Sequence, residues 1–416
     1  MSNSVEKDMK SMDRSWIFSF FGTAIGAGIL FVPLQAGMSG FYVCIISMAV
    51  AFSVTYFAQK YFAVVIAESQ KADSYNAVIT EFLGKGFSIF ISILFAVQLF
   101  ASILVYSIGL NTDIGAFLQT YKITTVNVST FKITPLVVLV ILTLPMLFSE
   151  RFLIKFLDKI SVILIVFIAL FIVLFIPFWH FDFFFNFNPD MKTNIKMLLM
   201  SIPLYMGAIN FYAALSPMIM FYRKTYPQLS HDDCVNKSFE LNRKSIYLLS
   251  FFTAFFVLSS AMTLTPETLK QALASNISIL AVVGLDQHAV AILEVIKFLG
   301  YFVIFFALST SFYGLMLAQI EIVSALFPKS WNEQVKRKFS IILMMLLFWF
   351  LTTFNINILK ILGLFTNPST GLTLFIIPTV IVLINQRFKK YRSITTWIIL
   401  AIGIFMLFSY FVGLIM

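Results

Sequence analysis

Glycines and a proline interrupt the first membrane-length apolar stretch of this chain, at a place where a helix would be expected. Residues 22–33 read Gly-Thr-Ala-Ile-Gly-Ala-Gly-Ile-Leu-Phe-Val-Pro, and glycine and proline are the poorest helix formers. Because hydrocarbon cannot satisfy unpaired backbone groups, such a break is tolerated only where it is buried in protein or faces a wet cavity. Breaks of this kind hold substrate and ions in transporters, so we expect the functional centre here.

An unwound helix exposes main-chain groups that can bind a ligand. The half-helix that begins after Gly26 would direct its partial positive charge at the gap, which suits a carboxylate. The carbonyl groups near Gly22–Ile25 would point the other way and suit a cation. The run therefore predicts a site for a zwitterion's carboxylate beside a coupling ion. The alternative is that Gly22 and Gly26, spaced as Gly-x-x-x-Gly, only allow close helix packing.

The sixth apolar span carries a matching interruption. Residues 201–212 read Ser-Ile-Pro-Leu-Tyr-Met-Gly-Ala-Ile-Asn-Phe-Tyr, and Ser216-Pro217 follows. Two interrupted helices at corresponding positions indicate a substrate site near the middle of the bilayer. The candidate substrate-binding residues of the two runs are Thr23, Ala24, Gly26, Ala27, Gly28, Met206, Gly207, Ile209, Asn210 and Phe211.

The composition is that of a membrane protein that crosses the bilayer many times. The 416 residues are 60% hydrophobic and 12% charged, with a mean hydropathy of +0.94, which excludes a soluble domain. Two cysteines imply no disulfide framework. The net charge of +10 does not point to a nucleic-acid partner, because the basic residues cluster in alternate loops, as membrane topology requires.

Apolar windows predict eleven spans and their orientation. The spans lie near residues 16–36, 40–67, 86–110, 134–149, 157–178, 198–222, 245–265, 289–326, 339–354, 358–384 and 396–415. Of the 29 lysines and arginines, 21 fall on the side of the N-terminus and five on the other. The positive-inside rule then predicts a cytoplasmic N-terminus and a C-terminus outside. The first span lacks a cleavage site and is expected to stay as a signal anchor.

The eleven spans divide as five, five and one, which is typical of an inverted repeat. We therefore expect an all-α fold in which spans 6–10 repeat spans 1–5 with opposite orientation and helices 1 and 6 are discontinuous. The predicted parts are a cytoplasmic N-terminal tail over 1–15, a ten-helix transport core over 16–384, and a cytoplasmic loop with the eleventh helix over 385–416.

The first span, Trp16–Gly40, closely resembles that of the bacterial serine and threonine permeases. These belong to the hydroxy/aromatic amino acid permease family of the amino acid–polyamine–organocation superfamily. Further similarities lie at Thr263-Leu264-Thr265-Pro266, Asn276-Ile277, Leu293-Glu294, Ser311-Phe312-Tyr313-Gly314 and Asn357-Ile358-Leu359. The resemblance covers most of the chain and implies eleven helices, the leucine-transporter-type fold and cation-coupled amino acid uptake.

Two departures from the family pattern touch the expected site. Serine and threonine permeases usually have a lysine where this chain has Thr310, and the aromatic amino acid branch instead has the Thr-Ser-Phe-x-Gly found here. In the sixth span, family members place Ser-Pro close behind an asparagine; here Asn210 fits, but Ser216-Pro217 follows several residues later. The substrate therefore stays open between a hydroxy amino acid and an aromatic one.

The resemblance also implies a cation site like that of sodium-coupled members of this fold. Its candidate oxygen ligands are the carbonyls of Gly22, Ile25 and Ala307 and the hydroxyls of Thr310 and Ser311. The alternative is that both hydroxyls bond to carbonyls of their own helix. Proton coupling is also known in the family, and Glu294 is a candidate relay unless it only pairs with Lys297. The coupling ion is therefore expected to be H⁺ or Na⁺.

Tyr106 shares a face of the third span with Ser102 and Gln98. Since that span packs beside the break in this fold, Tyr106 is a candidate ligand for a substrate carboxylate, or else a hydrogen-bonded core tyrosine.

The leading interpretation is an amino acid importer in a bacterial cytoplasmic (inner) membrane, with the lipid bilayer as its surroundings. It would have no organic cofactor, no metal apart from a possible sodium ion and no catalytic residues; no oligomeric state follows. The alternatives are a transporter-like sensor that does not translocate, or a polytopic membrane enzyme. An enzyme would need a polar catalytic cluster at one membrane face, and the sequence shows none.

Overall fold

A computed structural model describes residues 3–70, 75–147, 150–185, 189–275, 278–279, 291–324, 326–328 and 330–415. All regular secondary structure in these ranges is helical. The all-α prediction is therefore confirmed for the described part of the chain. Asn276-Ile277, one of the family-like motifs, lies outside it.

The N-terminal half of the chain contains eight α-helices. They are α1 (Asn3–Ala24), α2 (Ala27–Ser39), α3 (Phe41–Glu68), α4 (Tyr75–Leu83), α5 (Lys85–Thr120), α6 (Ile133–Thr143), α7 (Glu150–Phe175) and α8 (Asp182–Phe185). Short 3₁₀ turns lie at Val128–Thr130, Leu144–Leu147 and Ile176–Phe178. The predicted tail over 1–15 is helical from Asn3 and continues without a break into the first span.

The C-terminal half of the chain also consists mainly of α-helices in its described residues. Its helices are α9 (Met191–Ala208), α10 (Tyr212–Thr225), α11 (His231–Ala261), α12 (Pro266–Ser275), α13 (Ala291–Ser324), α14 (Glu333–Thr352), α15 (Ile358–Ile384) and α16 (Ile394–Ile415). Helix α15 contains two π-helical turns, Leu362–Thr366 and Gly371–Ile376, on either side of Asn367–Thr370. A 3₁₀ helix, Gln386–Tyr391, connects α15 to α16.

Within the described residues, seven helices are long and apolar enough to cross a membrane, or eight when the bent pair α1 and α2 is counted as one span. Two further predicted spans, Ile133–Leu147 and Ile394–Ser409, are apolar but shorter. The remaining one lies in α14, whose first turns carry Lys336, Arg337 and Lys338. The structure thus shows a polytopic helical membrane protein, and eleven crossings stay a prediction from the sequence.

Large apolar side chains on the outside of the bundle fit a lipid environment. On α5, Ile93 is 58% exposed, and on α7 Val166 and Val173 are 61% and 60% exposed. Water would disfavour so continuous an exposed apolar surface, whereas lipid chains are as apolar as these side chains.

The third span extends well beyond its predicted end. Helix α5 continues to Thr120 instead of ending near residue 110, and the polar residues Asn111, Thr112 and Asp113 are 2%, 4% and 2% exposed. Hydropathy misses them because burial here comes from packing against α13 and the turn at Val128–Thr130 rather than from apolar composition.

Candidate functional site

The first predicted break is present, and its amide end has no side-chain cap. Helix α1 ends at Ala24, and α2 begins at Ala27 with Gly26 as its N-cap residue, which has no side chain to accept from the first amides. The axes of Glu6–Ala24 and Gly28–Ser39 differ by 54°. The first N–H groups of α2 therefore face the gap, with the positive end of the helix dipole behind them.

The second predicted break lies between α9 and α10, over Ile209–Phe211. The side-chain oxygen of Asn210 accepts from the amide of Tyr212 at 3.1 Å and from Nε2 of Gln59 on α3 at 3.3 Å. Gln59 is completely buried. Phe211, the N-cap residue of α10, makes no side-chain cap bond, but the preceding Asn210 satisfies the first amide of α10 and ties this break to a neighbouring helix, and no described side chain does this at the first break.

The two breaks lie directly against each other. A Cβ atom on Gly28, in the first turn of α2, would come within 2.7 Å of the Cα atom of Ala208, the last residue of α9. On the α1 side, the rings of Phe20 and Phe211 stack with centroids 4.6 Å apart. Glycine at position 28 is thus required by close backbone approach, and the two interruptions form one centre.

A cavity opens beside this centre. Of the predicted substrate-binding residues, it is lined by Thr23, Gly28, Tyr106, Gly207, Asn210 and Phe211. A Cβ atom on Gly207 would meet nothing within 4 Å, so Gly207 borders open space. The structure thereby brings residues of α1, α2, α5, α9 and α10 around one volume.

The other candidates lie behind the cavity wall. Ala24, Met206 and Ile209 are at most 5% exposed and pack in the apolar core. Gly26 lies beneath Ser311 and Tyr106, since a Cβ atom there would be 2.4 Å from Oγ of Ser311 and 3.1 Å from Cε1 of Tyr106. The side chain of Ala27 lies outside the described residues.

A polar wall faces the breaks across the cavity. Gln98 of α5 donates from Nε2 to Thr370 of α15 at 2.8 Å. Its Oε1 accepts from the hydroxyls of Tyr212 at 2.7 Å and Thr373 at 3.1 Å. Gln98 and Ser102 line the cavity with Tyr106, as their shared helix face predicts. We call Gln98, Thr366, Asn367 and Thr370 the polar wall.

The contribution of α15 to this wall was missed from the sequence. Thr366, Asn367 and Thr370 line the cavity, and the hydroxyl oxygen of Thr366 is buried without a hydrogen-bond partner among the described residues. The π-helical turns on either side of Asn367–Thr370 rotate this polar stretch relative to a regular helix, and π turns are frequent at functional sites. The polar run Thr-Asn-Pro-Ser-Thr inside an apolar span was the available signal.

The candidate cation ligands are brought together in two hydroxyl–carbonyl pairs. Ser311 of α13 donates to the carbonyl of Ile25 in the first break, and Thr310 donates to the carbonyl of Ala307 in its own helix, both at 3.0 Å. Gly22 approaches a helix that the sequence did not suggest, because a Cβ atom there would lie 2.0 Å from Oγ of Ser161 on α7. The Ser311 hydroxyl thus joins α13 to the first break, whereas the Thr310 hydroxyl bonds within its own helix, as the alternative for that residue has it.

No charged side chain lines the cavity among the residues that the structure describes. Lys297 is 8% exposed, and the side chain of Glu294, its proposed partner, lies outside the described residues. No cluster of three or more His, Cys, Asp or Glu side chains suited to a metal occurs among the residues that the structure describes.

Curated proteins similar to this chain include three transport proteins of Escherichia coli. A protein named "Probable serine transporter" from strain K12 is 25% identical over 416 residues, covering 97% of this chain and 92% of that protein. "Inner membrane transport protein YqeG" of strain K12 is 24% identical, covering 97% and 98%. "Serine transporter SdaC" of the same strain is 23% identical, covering 94% and 93%.

The resemblance seen in the sequence motifs thus extends along nearly the whole chain. Residues 15–416, which include both breaks and the polar wall, match the tryptophan/tyrosine permease family, and the chain belongs to that family.

Proposed function

We propose that this protein is a cation-coupled symporter that imports a small hydroxy amino acid, serine or threonine, by alternating access. The observation that carries the proposal is the cavity between two facing helix breaks, which offers free main-chain groups on one side and a polar wall on the other. Membership of an amino acid permease family supports a transport function, and relatives named serine transporters support the substrate class. An aromatic amino acid is the alternative substrate.

In this proposal, the breaks hold the zwitterionic part of the substrate. The uncapped amides at the start of α2 suit the carboxylate, with Gly28 on the cavity wall and Tyr106 beside it. The ammonium group fits the opposite pole, the carbonyl end of α9, where Leu204 and Gly207 line the cavity. Neither interaction depends on the substrate's side chain, so these contacts bind amino acids as a class.

In this proposal, the polar wall recognises the side chain of the substrate by hydrogen bonding. A hydroxyl both donates and accepts. The hydroxyl of Thr366 has no partner among the described residues, and Gln98 uses one amide hydrogen for Thr370 and keeps a second. A site built to hydrogen-bond a hydroxyl rejects an analogue that lacks it, because its polar groups are then left unpaired. Serine should therefore be preferred strongly over alanine.

The coupling ion in this proposal is a proton or sodium. The carbonyl of Ile25 with the Ser311 hydroxyl beside it supports sodium, because hard cations prefer oxygen ligands, and position 310 carries a threonine rather than a lysine ammonium that would repel a cation. Thr310→Ala tests sodium specifically: it should abolish sodium-dependent uptake, whereas uptake indifferent to sodium at fixed pH would eliminate that ion.

The proposed topology has eleven crossings with the N-terminus in the cytoplasm and the C-terminus outside, in a bacterial inner membrane. The distribution of lysine and arginine supports it, as does the relative named an inner membrane transport protein. We also propose the ten-helix inverted repeat of the leucine-transporter type. The two breaks that meet at Gly28 and Ala208 support it.

The experiment is uptake of each of the twenty radiolabelled amino acids into proteoliposomes, with and without sodium and at two pH values. We expect concentrative uptake of serine or threonine and competition by the other. Binding without uptake would favour the sensor alternative. Failure of all twenty to bind would contradict the proposed function.

A further inference from the structure

Asp113 is a buried carboxylate in a membrane-length helix, and the site described above does not use it. It lies on α5 and is 2% exposed. Its Oδ1 accepts from both the amide and the hydroxyl of Ser278, each at 3.2 Å. Its Oδ2 is buried and has no hydrogen-bond partner among the residues that the structure describes. Tyr106 of the cavity wall is seven residues away on the same helix, or about 10 Å along the axis.

No cation neutralises this carboxylate among the described residues. Helix α13, which packs along α5, presents Tyr301 near Asp113, and the Tyr301 hydroxyl hydrogen bonds with that of Thr120 at 3.3 Å. Lys297, one turn before Tyr301, forms no described ion pair with Asp113. Tyr121 packs on Tyr301.

The turn Val128–Thr130, which packs against α5 close to Asp113, contains no charged residue. Near Val128–Thr130, Ser129 accepts a hydrogen bond from Asn111, and neither residue carries charge. The side chain of Glu294, also on α13, lies outside the described residues.

The hydrogen bonds of Asp113 distinguish a proton-binding role from a purely structural role in holding Ser278. Anchoring Ser278 requires only one acceptor oxygen, which an asparagine would supply without any charge. An ionised carboxylate with no cation beside it is costly in a buried site, and neutralisation removes that cost. The free Oδ2 is the atom on which a proton can reside while Oδ1 keeps both bonds to Ser278.

We propose that Asp113 is the proton-binding site that couples this transporter to the proton gradient. A proton taken from water on the outer side of the membrane forms an O–H bond at Oδ2 when the carboxylate is enclosed beside Ser278. The same bond breaks and returns the proton to water on the cytoplasmic side when Asp113 becomes hydrated in the inward-facing state of the cycle. This inference rests on the proposed function, since it concerns the ion that drives the same transport.

The test separates coupling from binding. Purified protein in proteoliposomes is assayed for two activities: accumulation of labelled serine driven by a pH gradient, and exchange of labelled for unlabelled serine without any gradient. For Asp113→Asn we expect gradient-driven accumulation to fall at least about tenfold, while exchange stays close to that of the unaltered protein. Serine-induced proton entry, followed with a trapped pH dye, should disappear.

Two further variants control the result. Asp182→Asn makes the same chemical change at an exposed position on α8 and should leave both activities unchanged. Ser278→Ala removes one of the two bonds to Oδ1 and should shift the pH dependence of accumulation while preserving exchange.

The outcomes are distinguishable. Unchanged gradient-driven accumulation by Asp113→Asn would overturn the inference. Loss of exchange together with accumulation would also overturn it, because Asp113 would then be structural. Accumulation by the unaltered protein that follows sodium and ignores pH would overturn it as well. If the unaltered protein neither binds nor exchanges any amino acid, the proposed function itself fails.

Discussion

The first break bends its span by 54°, whereas the second leaves α9 and α10 within one span of 33 residues, Met191–Arg223. The difference follows from how each gap is filled. At the first, Gly26 supplies no side chain and the amides of α2 stay open. At the second, the side chain of Asn210 caps α10 and is itself held by Gln59.

This contrast indicates a division of work between the two breaks, in which one binds the substrate and the other stays fixed. Groups already satisfied by the protein gain little from a ligand, whereas uncapped amides gain a strong partner when a carboxylate arrives. The first break is therefore the one expected to respond to substrate, and the second is the fixed surface against which it closes. Mutations at the two breaks should differ accordingly.

The largest effect is expected where the two breaks touch. Gly28→Val places a side chain where even a Cβ atom would be 2.7 Å from the backbone of Ala208, so α2 and α9 must separate. Because displacements of about 1 Å can cost 100-fold in a positioned site, we expect loss of serine uptake with membrane insertion intact. Gly26→Val, which meets Ser311 and Tyr106, should behave alike.

The matched control is Gly86→Val, since a Cβ atom on that exposed helical glycine meets nothing within 4 Å. It should insert and transport normally. Uptake is compared at equal amounts of protein in the membrane, determined by immunoblot. Near-normal uptake by both Gly26→Val and Gly28→Val would refute the placement of the site.

A smaller loss of transport, without any loss of stability, is expected from a substitution at the second break. Gly207 borders the cavity and a Cβ atom there has room. Gly207→Ala should raise the KM for serine about tenfold, the usual effect of one methyl group in a binding pocket. Stability should not fall, since alanine is the better helix former. A lower melting temperature in detergent, or an unchanged KM, would contradict this view of Gly207.

Both breaks could be predicted from the sequence because their residues disfavour a helix within apolar spans that are otherwise expected to be helical. Glycines in an apolar span predict an interruption, and α2 indeed begins directly after Gly26. In the sixth span the helix stops at Ala208, between Gly207 and Asn210, while Pro203 and Pro217 lie inside helices. Membrane helices accommodate proline when neighbouring groups satisfy the freed carbonyls, so the prolines were poorer markers than the asparagine.

The polar wall and Asp113 could not be predicted in the same way. Gln98 and Thr370 are 272 residues apart and meet only through packing of α5 on α15. Windowed hydropathy reports how apolar a segment is, not which face is covered by a distant helix. It therefore ended the third span before Asp113, whose burial depends on α13 and Ser278.

A moderate effect is expected when the internal cap of the second break is removed. Asn210→Ala deprives the amide of Tyr212 and Nε2 of Gln59 of their acceptor, and loss of such a cap costs about 1 kcal/mol. Asn210→Asp keeps an acceptor, and its charge suits the N-terminal end of α10. We expect a lower melting temperature and severalfold slower uptake for the alanine variant only. Equal melting temperatures for both variants would show that the cap does not hold this break.

The smallest effect concerns the ring stack that joins the two breaks. Phe20 and Phe211 are nearly parallel, at 16°, with centroids 4.6 Å apart, and such pairs contribute about 0.5–1.5 kcal/mol beyond burial of their area. In a double-mutant cycle of Phe20→Leu and Phe211→Leu, the two changes should be non-additive by that amount in detergent stability. If the first break moves on binding while the second stays fixed, saturating serine should change this coupling energy. A coupling energy that is the same with and without serine would mean that the stacked ends of the breaks move together, against the division of work inferred here.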